Sequence, residues 1–111
     1  MARTISRDEL KQAIEAGQVT VVETLGPEHF DRGHLPGAIH IHYELVAEKA
    51  PELLPDKDAT IVTYCSNTQC RNSEIAANQL TAMGYRNVRK YAEGKQDWQE
   101  AGLSLEVSTA A

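Results

Sequence analysis

The stretch Thr60-Ile61-Val62-Thr63-Tyr64-Cys65-Ser66-Asn67-Thr68-Gln69-Cys70-Arg71-Asn72-Ser73-Glu74-Ile75-Ala76-Ala77-Asn78-Gln79-Leu80-Thr81-Ala82-Met83-Gly84 sets the architecture of this chain. Its first five residues are four β-branched side chains followed by an aromatic one, which suits a buried, pleated strand. From Ser73 onward, Ile75, Ala76, Leu80 and Met83 recur at helical spacing and predict a helix with those four on its buried face, stopped by Gly84. A short polar loop lies between. Strand, loop and helix in this order form half of a crossover unit, the element from which parallel sheets are built.

The same alternation continues on both sides. Upstream, Val19-Thr20-Val21-Val22 is β-branched without polar alternation, as expected of a strand covered on both faces. Ser6-Arg7-Asp8-Glu9 has the form of a capping box, Leu10, Ala13 and Ile14 share a face, and Gly17 can end the turn, so a helix over about Arg7–Ala16 is predicted. Glu28 to Gly33 reads as one helical turn closed by glycine, Leu35-Pro36-Gly37-Ala38 as a turn, and Ile39-His40-Ile41 as a strand. A weaker helix is expected from Tyr43 to Lys49, ending before Pro51, followed by the polar loop Pro55-Asp56-Lys57-Asp58. Downstream come a strand around Val88 to Tyr91 and a last helix from Gly94 to Ala101, whose Trp98 packs it onto the sheet. The expected fold is α/β: a central, mostly parallel sheet of about five strands flanked by helices on both faces, in one domain spanning residues 1–111.

Composition narrows the partners. The 111 residues carry a net charge of -5, and Lys and Arg are scattered, so neither nucleic acid nor an anionic membrane finds a basic footprint. Apolar runs are a few residues long, far short of a membrane span. The segment Met1 to Glu9 lacks the apolar core of a signal peptide, and a close cysteine pair in such a chain reads as reactive rather than structural, so a cytoplasmic location is expected. Glu106-Val107-Ser108-Thr109-Ala110-Ala111 reads as a fraying tail.

The loop after the Thr60–Tyr64 strand is the candidate site, because ligands of open α/β sheets bind at the carboxyl ends of strands. A loop curling into a helix N-terminus aims amides and the positive end of the helix dipole at its centre, which lowers the pKa expected of Cys65. Cys65 is the candidate nucleophile. Ser66, Asn67, Thr68, Gln69, Cys70 and Arg71 are the candidate substrate-binding residues, with the Arg71 guanidinium suited to an oxyanion. A curled loop brings Cys70 within disulfide reach of Cys65, making it a candidate resolving thiol. His34, His40 and His42 are read as structural, and no metal site is assigned.

Several fragments now join. Gly33-His34-Leu35-Pro36-Gly37-Ala38, the strand ending in Tyr64-Cys65, Ser73-Glu74-Ile75-Ala76-Ala77-Asn78-Gln79-Leu80, Gly84-Tyr85-Arg86-Asn87-Val88 and Gly94-Lys95-Gln96-Asp97-Trp98 together resemble the rhodanese family in order and spacing. The resemblance implies a sulfurtransferase or persulfide carrier. Its cysteine, here Cys65, accepts sulfane sulfur from a small donor such as thiosulfate or a persulfide and passes it to a thiophilic acceptor: cyanide, a thiol or a protein. No metal or organic cofactor is implied.

The loop departs from the family's usual pattern. Arg71 stands six residues after Cys65 rather than five, no glycine occurs between them, and Cys70 occupies the usual arginine position. Glu23-Thr24-Leu25 stands where many members carry an Asp and then an Arg; Glu23 can substitute for the acid, but Leu25 cannot supply the cation. The Cys-x5-Arg spacing resembles cysteine-dependent phosphatases, including cell-cycle phosphatases and arsenate reductases. Oxyanion chemistry of that type, and a non-catalytic redox-sensing or binding module, are the alternatives to sulfur transfer.

Overall fold

Central position in the sheet falls to the strand that precedes Cys65. The computed structural model describes residues 3–107, in which five strands, β1 (Arg3–Thr4), β2 (Thr20–Glu23), β3 (Ile39–His40), β4 (Thr60–Tyr64) and β5 (Asn87–Tyr91), form one sheet of order β1-β5-β4-β2-β3. Every pairing is parallel. The helices are α1 (Arg7–Ala16), α2 (Pro27–Arg32), α3 (Val46–Leu53), α4 (Asn72–Ala82) and α5 (Gly94–Glu100), with a 3-10 turn at Tyr43–Leu45 before α3.

Strand order and handedness assign the helices to faces. From β1 to β2 to β3 the chain moves toward one edge, and from β3 through β4 to β5 it moves back. Right-handed crossovers therefore put α1 and α2 on one face and α3 and α4 on the other. The two cores agree: Leu10, Phe30 and Trp98 pack with Val21, Val62 and Tyr64, while Val46, Ala50, Ala76, Ala77 and Leu80 pack with Val22 and Ile61. Adjacent β4 residues thus face opposite cores, as the strand's two-residue period requires.

Helix α1 has the expected bounds, with the Ser6–Glu9 capping box formed and Gly17 left-handed at φ 68°. Four expectations are corrected. The polar N-terminus adds β1, an edge strand of two residues paired to β5. Helix α3 continues through Pro51 to Leu53; Leu54 N–H reaches back to Ala50 O, and the Tyr85 hydroxyl donates to the carbonyls of Ala50 and Leu54, which keeps the turn after the proline satisfied. On α4 the buried residues are Ser73, Ala76, Ala77 and Leu80, at i, i+3, i+4 and i+7, so Ile75 turns outward and is 46% exposed. Finally, β3 ends at His40, one residue short of the expected Ile39-His40-Ile41 strand, and His42 caps the 3-10 turn, its Nδ1 accepting from Glu44 N–H.

The tail also differs from expectation as far as it is described. Glu106 forms an antiparallel bridge with His34, and its carboxylate accepts from Gly37 N–H at 2.8 Å. Residues 108–111 lie outside the described residues. Among the described residues, no helix is long and apolar enough to cross a membrane.

Candidate active site

Cys65 follows the last residue of β4 and is 1% exposed. Two helices shape the loop around it. The N-terminus of α4 begins at Asn72, and Thr63 Oγ1 donates to Ser73 O at 2.9 Å, tying that helix start to the strand before Cys65. From the other side, the first amides of α5 clamp the loop: Lys95 N–H donates to Cys65 O and Gln96 N–H to Ser66 O, both at 2.8 Å. Gly94, with φ 68°, makes this approach possible, since a Cβ there would stand 2.6 Å from Cys65 O.

The loop's distal half folds back as a turn. Gln69 N–H donates to Asn67 Oδ1, and Cys70 N–H to Asn67 O. This brings Cys70 onto Cys65, and the two are joined as a disulfide with Cα atoms 6.3 Å apart. Cys65 Sγ also lies 3.3 Å from Cys70 O and 3.6 Å from Ser73 Oγ. The amides of Ser66, Asn67 and Thr68 donate to no protein acceptor among the described residues, which leaves them available to an anion.

Not every candidate converges. Ser66, Asn67 and Cys70 are half-buried, whereas Thr68, Gln69 and Arg71 are exposed. Arg71 precedes α4, and its side chain makes no hydrogen bond or ion pair among the described residues; Glu74 pairs instead with Lys90 at 3.6 Å. A cleft of about 230 Å³ opens beside the loop, lined by Asn67, Thr68, Glu93, Gln96, Asp97 and Glu100.

Beneath the loop lies a charged network built on Glu23, whose cation the sequence did not point to. Glu23 is fully buried, and its Oε1 accepts from the Tyr64 hydroxyl at 2.7 Å and from Lys95 Nζ at 2.9 Å. The Tyr64 oxygen in turn accepts from Leu35 N–H in the Gly-His-Leu-Pro-Gly-Ala turn. Burial, then the Glu23 charge, pushes the Tyr64 phenol far above its usual range. Lys95 thus supplies the cation that Leu25 cannot. Lys95, Gly94 and Ser73 are the site residues not singled out from the sequence; the glycine three residues after β5 was the available signal.

The histidines have local roles. His34 stacks on Phe30 and donates from Nδ1 to its carbonyl, and His40 Nε2 donates to Leu25 O. Among the described residues, no group of three or more potential metal ligands comes together.

Comparison with known proteins places this geometry. Residues 6–101 match the rhodanese-like domain family. The chain is 36% identical over 102 residues to an HTH-type transcriptional regulator of Mycobacterium tuberculosis, covering 92% of this chain and 44% of the relative. It is 26% identical over 95 residues to the putative sulfur carrier protein YrkF of Bacillus subtilis, covering 85% and 49%. It is 37% identical over 71 residues to the thiosulfate sulfurtransferase PspE of Escherichia coli, covering 64% and 65%. The chain therefore spans about half the length of the first two of these relatives. Among solved structures, the BH2092 protein of Bacillus halodurans shares the fold with a TM-score of 0.87 at 24% identity, covering 96% of this chain and 77% of that one. The human single-domain sulfurtransferase TSTD1 shares it with a TM-score of 0.78 at 22% identity, covering 90% and 97%. This chain belongs to the rhodanese-like domain family.

Proposed function

We propose that the domain is a sulfurtransferase or persulfide carrier working through Cys65. The observation that carries this reading is the placement of a buried cysteine sulfur at the end of the central strand, in a loop with unengaged amides, at the N-terminus of α4. With the Cys65–Cys70 pair reduced, the Cys65 thiolate attacks the outer sulfur of a donor and expels the donor's remaining thiolate or sulfite. The resulting persulfide anion is held by loop amides, and the Ser73 hydroxyl donates to the Cys65 sulfur. An acceptor thiolate then removes the outer sulfur and regenerates Cys65. Ser66, Asn67, Thr68, Gln69 and Arg71 bind the donor in this reading.

Persulfides suit the site better than thiosulfate. Cys70 replaces a cation inside the loop, and three carboxylates line the adjoining cleft, which disfavours a dianion. The phosphatase alternative needs a proton donor for the leaving group. Asp97, the partly buried carboxylate of that cleft, is instead engaged by Arg7 and the Tyr91 hydroxyl.

The test is sulfur transfer from glutathione persulfide, and separately from thiosulfate, to a thiol acceptor by reduced protein. Cys65→Ala should lose at least 100-fold with both donors, and wild type should prefer the persulfide. Transfer that survives in Cys65→Ala overturns the reading, as does aryl-phosphate hydrolysis without sulfur transfer.

A further inference from the structure

Cys70 gives the site a second outcome. We propose that, in the absence of an external acceptor, Cys70 resolves the Cys65 persulfide and releases hydrosulfide, making the domain a dithiol-dependent sulfane-sulfur reductase. This rests on the Cys65 persulfide of the preceding section and adds the fate of its sulfur.

The geometry favours an internal resolving thiol over an outside one. The Asn67–Cys70 turn holds Cys70 against Cys65, which is 1% exposed with the pair joined, so an external acceptor approaches a sulfur that Cys70 already covers. The α5 clamp fixes the carbonyls of Cys65 and Ser66, while Thr68 and Gln69 remain exposed. The nucleophile's half of the loop is therefore anchored, and the half carrying Cys70 is the one folded over it. A group held at its target acts as an intramolecular reactant, at an effective concentration no dissolved thiol matches. The Cα separation of 6.3 Å lies within the range bridged by two sulfurs. The bond that forms is accordingly Cys65 Sγ to Cys70 Sγ, rather than one through the outer sulfur.

The step balances. The Cys70 thiol loses its proton and attacks Cys65 Sγ; the bond from Cys65 Sγ to the outer sulfur breaks; and hydrosulfide leaves with that sulfur, the bonding electron pair and the proton. The sulfane sulfur is reduced, and the two cysteines are oxidised to a disulfide. A dithiol, small or protein-borne, then reduces the disulfide by thiol exchange and is itself oxidised. Cys70 is half-buried beside the exposed residues Thr68 and Gln69, which gives such a reductant a point of attack.

The experiment uses the reduced chain under anaerobic conditions. Wild type, Cys70→Ser and Cys70→Ala are each treated with glutathione persulfide, desalted, and followed by intact mass and by released hydrosulfide. Wild type should end as the disulfide, two hydrogens lighter than reduced protein, with about one hydrosulfide per chain. Dithiothreitol should then return it to the reduced mass. Both variants should hold the extra sulfur and release hydrosulfide at least tenfold more slowly. If wild type keeps its persulfide as long as the variants do, the resolving role is overturned while sulfur transfer stands. Absence of a persulfide in both variants overturns both readings.

Discussion

Replacing Gly94 by alanine probes the clamp between α5 and the cysteine loop, and Gly17 supplies an internal control. Both glycines have φ 68°, so alanine at either position meets the same left-handed penalty, about 1 kcal/mol. Gly17 has nothing within 4 Å of a built Cβ, and its substitution should cost only that amount. At Gly94 the Cβ would lie 2.6 Å from Cys65 O, 2.8 Å from Ser66 C and 2.9 Å from Asn67 N, all backbone atoms. Relief requires the loop to move away from α5. That movement breaks or stretches the bonds from Lys95 N–H and Gln96 N–H to the loop carbonyls, worth about 1 kcal/mol each. Gly94→Ala should therefore lose about 3 kcal/mol and Gly17→Ala about 1 kcal/mol in urea unfolding with unchanged slope. In the reduced protein, Gly94→Ala but not Gly17→Ala should also speed alkylation of Cys65. Equal losses for the two variants, within 0.5 kcal/mol, would refute the clamp.

Three further outcomes follow from the site. Lys95→Met leaves the fully buried Glu23 charge without its cation and should cost about 3 kcal/mol at neutral pH, part of which Glu23→Gln restores in the double variant; a loss under 1 kcal/mol would contradict the pairing. Ser73→Ala should slow persulfide formation roughly fivefold and shift the pH-rate profile of Cys65 alkylation upward, because one donor to the thiolate is gone; an unmoved profile argues against that contact. Burial raises the phenols of Tyr64, Tyr85 and Tyr91, and hydrogen bonding to Asp97 raises Tyr91 further. A raised folded pKa means stability that is full below the unfolded value of about 10 and falls as pH rises above it. Ultraviolet titration should thus show these phenols ionising together with alkaline unfolding, and their free titration near pH 10 in folded protein would count against this burial.

Local signals were read well because they act within a few residues. The Ser6 to Glu9 capping box, the left-handed Gly17 and the β-branched run Thr60 to Tyr64 each specify their element without help from elsewhere. What stayed hidden depends on distant partners. Two residues, Arg3 and Thr4, carry no periodicity, and only the edge of β5 makes them a strand. Helix α3 continues through Pro51 where Tyr85, which follows α4 in sequence, donates to the carbonyls of Ala50 and Leu54 on either side of the proline. The buried face of α4 centres on Ala76 and Ala77, whose small side chains let the helix sit close to β4. Ile75, although more hydrophobic, therefore lies off that face and is exposed.

The candidate site divides in the same way. Cys65 and its loop follow from strand, loop and helix order, and the turn at Asn67 that returns Cys70 is encoded locally. The substitute cation is not: Glu23 lacks the arginine two residues on that many family members carry, and the replacement comes from Lys95 on the last helix. Arg71, chosen from its spacing, is exposed, while Ser73, which the sequence did not point to, places its Oγ 3.6 Å from the Cys65 sulfur.

Intact-mass measurement of the reduced Cys70→Ser protein after brief exposure to glutathione persulfide, beside Cys65→Ala/Cys70→Ser, bears most directly on Cys65 as the sulfur carrier. The expected result is a gain of one sulfur atom, about 32 Da, in Cys70→Ser and none in the double variant, with the adduct removed by a thiol acceptor. An unmodified Cys70→Ser protein, or equal modification of the double variant, would contradict persulfide chemistry at Cys65.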